Sequence, residues 1–159
     1  MDEYEIFSSN AASETSDAAA AAQTNQKYLL FQSGGLLFGV VADYVVEIIT
    51  NHTVTHLPLV PNYVKGIINL RGQIIPIVDI RNLLGQPADS ADCIIILNID
   101  EVMVGILVDT VQRMIDLDQQ KILPSPSSEC RKLVSGMCSL SDGQTMLAFD
   151  CAQLLGSSY

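Results

Sequence analysis

His52 and His56 stand four residues apart, a spacing that on a helix would offer two imidazoles to one zinc ion. Thr53, Val54 and Thr55 between them favour an extended chain, on which the rings would lie about 13 Å apart at roughly 3.3 Å per residue. Solvated loop histidines are the reading that follows. Gly34 and Gly39 have the glycine spacing of a phosphate loop, but Val40 and Val41 stand where that loop needs Lys and Ser or Thr. A hairpin turn plus a glycine packed inside a strand accounts for the pair. Cys93, Cys130, Cys138 and Cys151 form no C-x-x-C pair, and no His is near enough in sequence to complete a zinc pattern. They read as reduced, buried side chains.

Val108-Asp109-Thr110-Val111 is similar to the centre of an aspartic protease, where a glycine after the Asp-Thr pair lets two carboxylates approach and share a proton. Val111 fills that glycine's place, which leaves Asp109 as a hydrogen-bonding residue at a strand end. No Ser, Cys or Thr nucleophile can be matched by pattern to a base and an orienting acid. The expectation is a binding protein, not an enzyme, with no metal and no cofactor.

Two features point toward binding. Ala42, Val45, Ile48 and Ile49 recur at three or four residue spacing, as on one face of a short helical turn. Ile49 is read as core, and Ala42, Val45 and Ile48 as an apolar seam. Glu47 and Arg71 are charges set in the apolar stretches Val45–Ile49 and Ile67–Ile75, and charges in such surroundings are seldom left unpaired. They are expected to pair, with Arg71 fixing the turn at Gly72.

The elements that must position these residues are short and β-rich. Residues 1–26 are Ala-rich and acidic without an apolar face, and read as a disordered tail. From Lys27 onward, β-branched runs alternate with turn signals: Tyr28–Gln32, Leu36–Val41, Thr53–Leu57, Gly66–Leu70, Gln73–Val78, Cys93–Ile99, Val102–Asp109, Thr110–Leu117, Val134–Leu140 and Gln144–Asp150. Leu123–Arg131 reads as a loop, and Cys151–Leu155 as a short helix. The spacing predicts an all-β protein of two small barrels. Its first lobe would span about 36–91 and its second about 92–156, parted by the polar stretch Gln86–Asp92, with strand 27–33 able to cross between them. Ile94–Leu97 and Val102–Val108 lack alternation and should be covered on both faces.

With 8 basic against 18 acidic residues, the net charge of -10 would repel a nucleic-acid backbone or an anionic membrane surface. No apolar stretch approaches the roughly 18 residues that span a bilayer, and the first residues lack a signal-peptide pattern, so the expected location is the cytoplasm.

Taken together, Tyr28-Leu29-Leu30-Phe31, Phe38-Gly39-Val40, Val46-Glu47-Ile48-Ile49, Leu57-Pro58 with Pro61, the long run from Val64 to Arg81, Val104–Asp109 and Leu123-Pro124-Ser125-Pro126 resemble the CheW family of chemotaxis coupling proteins. The resemblance covers about Lys27 to Leu155. It implies two five-stranded SH3-like barrels around a shared core, with short helical turns and no catalysis. It implies two partners, the cytoplasmic hairpin tip of methyl-accepting chemoreceptors and the regulatory domain of the histidine kinase CheA. The receptor groove of the family falls here on Leu29, Ala42, Val45, Ile48 and Val111, and the kinase contacts cannot be assigned to single residues. A homologous adaptor for pili, gliding or biofilm is the alternative within the same class.

Overall fold

Glycine and acidic turn residues divide the apolar runs into hairpins, and the computed structural model of the protein describes these in residues 25–84, 93–124 and 133–156. In chain order the strands are β1 (Asn25–Ser33), β2 (Leu36–Val41), β3 (Val45–Thr50), β4 (Val64–Leu70), β5 (Gln73–Asp79), β6 (Cys93–Ile99), β7 (Val102–Val108), β8 (Thr110–Asp118), β9 (Leu123–Pro124), β10 (Val134–Ser139) and β11 (Thr145–Phe149). Two short helices, α1 (Ile80–Leu84) and α2 (Cys151–Gly156), follow β5 and β11. The β1–β2 turn places Gly34 and Gly35 at φ 60° and 82°, the two positive values that a tight primed hairpin turn requires. Asp100 and Glu101 take φ 51° and 68° in the β6–β7 turn without a glycine to ease it.

The strands form a six-stranded sheet ordered β8-β1-β2-β11-β10-β9 and a five-stranded sheet ordered β3-β6-β7-β5-β4. This corrects the lobes drawn at 36–91 and 92–156. β6 and β7 join β3–β5, because β7 pairs in parallel with β5 (Ile77↔Gly105, Val78↔Ile106) across the polar stretch. β1 and β2 pair instead with β8 and β11, so the first two strands belong wholly to the second lobe. Turn residues mark where the chain leaves a strand and carry no information on which strand it then joins. The stretch Gln86–Asp92 lies outside the described residues, as does the expected tail up to residue 24. Asn25 and Gln26, placed in that tail, are the first residues of β1. Thr53–Leu57 forms no strand, only an isolated bridge from Thr55 to Ile67. Leu123 and Pro124, read as loop, pair with β10 as β9.

Among the described residues, three apolar clusters hold the sheets. The largest lies between them and takes Leu29, Phe31, Phe38 and Phe149 from one sheet and Ile95, Leu97, Val104, Ile106 and Val108 from the other. Phe31 stacks on Phe38 at 5.4 Å between centroids, and Phe149 meets Phe31 edge-on at 5.9 Å. A second cluster, with Tyr28, Leu30 and Met146, fills the six-stranded lobe, and a third, with Ile75, Ile77, Ile94 and Ile96, fills the five-stranded one. Ile94–Leu97 therefore alternates between two cores, which is why its sequence shows no polar face.

The two lobes repeat one pattern in permuted order. Val64-Lys65-Gly66 opens β4 and Val134-Ser135-Gly136 opens β10, each at a register bulge. A Cβ on Gly66 would strike the Thr55 carbonyl oxygen, and one on Gly136 that of Leu123. Asp79-Ile80-Arg81-Asn82-Leu83-Leu84-Gly85 matches Asp150-Cys151-Ala152-Gln153-Leu154-Leu155-Gly156. The Asp79 N–H donates to the Tyr63 carbonyl at 2.7 Å, and the Asp150 N–H donates to that of Leu133 at 2.8 Å. One lobe runs β3 to β7; the other begins at β8 and is completed by β1 and β2.

Cys93, Cys138 and Cys151 are free and buried; Cys130 lies outside the described residues. Burial, with help from the neighbouring Asp150 carboxylate, pushes the Cys151 thiol up to about 12. Burial also raises Cys93, against a smaller opposing hydrogen bond from the backbone at Val111. In a Cys130→Ser chain at neutral pH, Cys151 should then hold on the order of a thousandfold less thiolate than a free cysteine of pKa about 8.5. Reaction with a thiol reagent should proceed only as the chain opens. Rapid labelling of the native protein at Cys151 would contradict this.

Candidate functional site

The segment from Ala42 to Thr50 is a 3₁₀ turn, Ala42–Tyr44, followed by β3, and the helical face drawn through it is corrected accordingly. Its β-branched run favours extended backbone. A bulge between Val45 and Glu47 sets Val45 opposite Leu97 and Ile48 opposite Ile95. Leu97 and Ile95 both belong to the central cluster, and directly paired residues share a face. Val45 and Ile48 are therefore turned to the junction of the sheets although they are three residues apart. Val45 packs against the central cluster, while Ile48 lies beyond it, 41% exposed.

β8 repeats this arrangement from the other sheet. Val111 pairs with Phe31 and Met114 with Leu29, again across a bulge. Val111 packs against the central cluster and Met114 stands out, 51% exposed. The hairpins β6–β7 and β1–β2 align through Ile96↔Gly105 and Leu30↔Gly39, which makes Val45 the counterpart of Val111 and Ile48 that of Met114. Of the residues on which the family's receptor groove falls, Ala42, Val45 and Val111 are half-buried and Ile48 is exposed. Leu29 is only 3% exposed and belongs to the core beneath. Met114 escaped notice in the sequence because only its paired strand reveals its face.

Each exposed residue has a charged neighbour in an ion pair. Arg71 donates to both carboxylate oxygens of Glu47, at 3.1 Å for the Nη2 bond. The contact ties β3 to the β4–β5 turn, from one edge of the five-stranded sheet round to the hairpin at the other. The pair is superficial, with the Arg71 side chain 73% exposed, and not embedded as the apolar flanking sequence implies. Arg113 meets Asp142 at 3.6 Å, joining β8 to the β10–β11 turn at the matching place.

Asp109 is engaged too. Its carboxylate accepts from the Gly34 N–H at 2.9 Å and from Arg81 at 3.4 Å, linking the β1–β2 turn to α1 across the junction. Arg81 is 2% exposed and also bonds both oxygens of Asp79, itself 1% exposed, at 3.0 Å each. An aspartate committed to an arginine and a backbone amide is a structural crosslink. Gly34 thus serves the hairpin, and Gly39 sits inside β2 against Met146. His52 and His56 are exposed, and no group of three or more metal-ligating side chains occurs among the described residues.

Comparison with known proteins decides the family. The model of the CheW-like domain matches residues 27–158. The chain belongs to the CheW-like domain family. It is 32% identical to the chemotaxis protein CheW of Klebsiella aerogenes over 87% of this chain and 86% of that protein. It is 27% identical to protein FrzA of Myxococcus xanthus over 68% of this chain and 69% of that one. The crystal structure of the scaffolding protein TtCheW from Thermoanaerobacter tengcongensis superposes with a TM-score of 0.73 at 28% identity, covering 79% of this chain and 88% of that one. Among the described residues, and apart from the two-residue β9, each lobe has five strands, the double SH3-like barrel that the resemblance implied. No helix among the described residues is long and apolar enough to cross a membrane.

In this CheW-like fold the signature run Val64–Arg81 becomes β4, β5 and the start of α1, so it supplies both Arg71 at the surface and Arg81 in the interior. The hydrogen bond from Arg71, aided by its charge, holds the Glu47 carboxyl below its ordinary 4.5. Because the folded value is the lower one, the pair's contribution is present above 4.5 and fades as pH falls through the folded value. Glu47→Ala and Arg71→Ala should each weaken the fold slightly at pH 7, and the double substitution should cost less than their sum. Urea melts of the four proteins give the coupling. A coupling that persists unchanged in high salt or at pH 2 would exclude an electrostatic origin.

Proposed function

We propose that this chain is a non-catalytic chemotaxis adaptor that couples chemoreceptors to the histidine kinase CheA. The observation that supports the reading is that Val45 and Val111 pack against the central cluster from the two sheets while Ile48 and Met114 stand exposed beyond them. In this reading the four bound a groove, with Ala42 at one corner and Leu29 beneath. An amphipathic helix from the cytoplasmic hairpin tip of a methyl-accepting chemoreceptor lays its apolar face there. The regulatory domain of CheA, of the same fold, meets the barrels elsewhere on the surface. The protein works in the cytoplasm and reaches membrane-anchored receptor arrays through these partners, without nucleic acid, metal or cofactor. Asp109 has no catalytic part, since its carboxylate holds Arg81 and Gly34.

The test is reconstitution with a receptor hairpin fragment and CheA, reading kinase autophosphorylation. Activity should depend on all three components together. Equal activity without this chain would overturn the reading. Similarity to FrzA, and 32% identity with protein PilI of Pseudomonas aeruginosa over 51% of this chain, favours a second reading. In it the same coupling serves a pathway for pili, gliding or biofilm. The receptors and kinase that co-purify with the chain separate the two.

A further inference from the structure

Sulfur is spread unevenly over the described part of the chain. Cys93, Cys138 and Cys151 are buried, and burial pushes the Cys151 thiol up to about 12 and raises Cys93, so little of either is present as the thiolate that reacts with peroxides. Met146 is sealed inside the six-stranded lobe, and Met103 and Met137 are half-buried. Met114 is the only exposed methionine or cysteine among the described residues, and it stands at the junction of the sheets, paired with Leu29. Its counterpart in the other lobe is Ile48, which offers the same kind of apolar surface without an atom that oxidises. Resting on the groove reading above, we infer that Met114 is a reversible oxidation site, and that a hydroperoxide acting there lowers the affinity of the chain for its receptor helix.

In the reaction a lone pair of the Met114 thioether forms an S–O bond while the O–O bond of the peroxide breaks. Water leaves, or an alcohol where the hydroperoxide is organic. Sulfur loses two electrons and the peroxide gains them. The product is a sulfoxide, which sets a strongly polar S–O bond where a soft apolar side chain stood. On the free protein this costs little, because the new oxygen accepts hydrogen bonds from water. Under the apolar face of a docked helix the oxygen loses that water and the face offers it no donor, the situation in which a buried polar group weakens an interface. The cost therefore falls on the bound state, and the oxidised chain keeps its fold while it releases the helix. Dithiol reductases specific for the two sulfoxide epimers reverse the step, the oxygen leaving as water and two thiols becoming a disulfide. Val45 and Ile48 are untouched by the oxidant, so binding is weakened and not abolished.

The test treats the full chain carrying Cys130→Ser with hydrogen peroxide, removes the oxidant, and titrates the protein calorimetrically with an untreated chemoreceptor hairpin fragment. Peptide mapping by mass spectrometry follows the gain of one oxygen at each methionine. Met114 should gain it several-fold faster than Met103, Met137 or Met146. Affinity should fall in step with that gain, by a factor on the order of ten, while the urea midpoint stays in place. Treatment with both epimer-specific reductases should restore it. A Met114→Leu chain, compared only with itself, should bind the fragment alike before and after peroxide. Oxygen entering Met103, Met137 or Met146 ahead of Met114 would overturn the inference. So would a chain fully oxidised at Met114 that binds as before, or a Met114→Leu chain that loses affinity on treatment to the same degree. Failure of the untreated chain to bind the fragment at all would instead overturn the groove reading, and the oxidation site's role with it.

Discussion

Replacing Arg81 with Met should lower the stability of the protein by about 3–5 kcal/mol, the usual cost of removing one partner from a buried ion pair. Arg81 is 2% exposed and Asp79 1%, so the substitution leaves a carboxylate shielded from water that has lost both guanidinium bonds, while the backbone N–H of residue 81 still donates to it at 3.1 Å. Met fills much of the volume of the arginine stem, so the loss comes from the unpaired charge and not from a cavity. Because single domains are stable by only about 5–15 kcal/mol, this loss would remove a large fraction of the total stability. Asp79→Asn together with Arg81→Met should recover part of the loss, since the orphaned charge is then gone. Arg81→Lys should not, because an ammonium cannot make the two-pronged contact. Urea denaturation of the three variants measures each term. A loss below about 1 kcal/mol for Arg81→Met would mean that the interior tolerates the bare carboxylate, for instance through water.

The importance of Arg81 was hidden although it stands in the family-like run next to residues that drew attention. Arg71 has apolar stretches on both sides, yet it is at the surface, while Arg81, in the mixed run Asp79-Ile80-Arg81-Asn82, is the buried one. Flanking hydrophobicity reports burial only where the side chain points inward, and a hairpin tip such as Arg71-Gly72 points out. Turns were legible because positive φ selects glycine, as at Gly34 and Gly35, or tolerates an acidic residue, as at Asp100. The bounds of β2 and β6 could be read directly for that reason. Strand partners could not, since nothing local in β1 or β2 distinguishes β8 and β11 from the nearer β3 as neighbours. The internal repeat of Asp79–Gly85 in Asp150–Gly156 was the available signal. It pairs the end of β5 with the end of β11 and so divides the sheets correctly.

Ile48 shows how an exposed apolar residue can be reached by way of an incorrect local structure. A bulge adds one residue to a strand, so side chains three apart fall on the same face, and Val45 with Ile48 imitate a helical turn. The same rule applied to β8 would have led from Val111 to Met114. This makes the exposed pair a sharper test of the groove than Val45, whose burial against the core confuses binding with folding. Ile48→Asp and Met114→Asp place a charge on positions 41% and 51% exposed, where the fold should lose little. In the complex, each carboxylate would lie under the apolar face of the docked helix without a partner, and burying it there costs several kcal/mol. Each substitution should weaken binding to a chemoreceptor hairpin fragment by a factor on the order of 100, since 1.4 kcal/mol is tenfold. The double substitution should leave no measurable binding. Calorimetric titration against the fragment measures the affinities, and urea melts establish that stability stays within about 1 kcal/mol of native. Unchanged affinity in the folded double variant would move the receptor site away from the junction of the lobes. Loss in Ile48→Asp alone would confine it to the five-stranded lobe and remove the matched second wall.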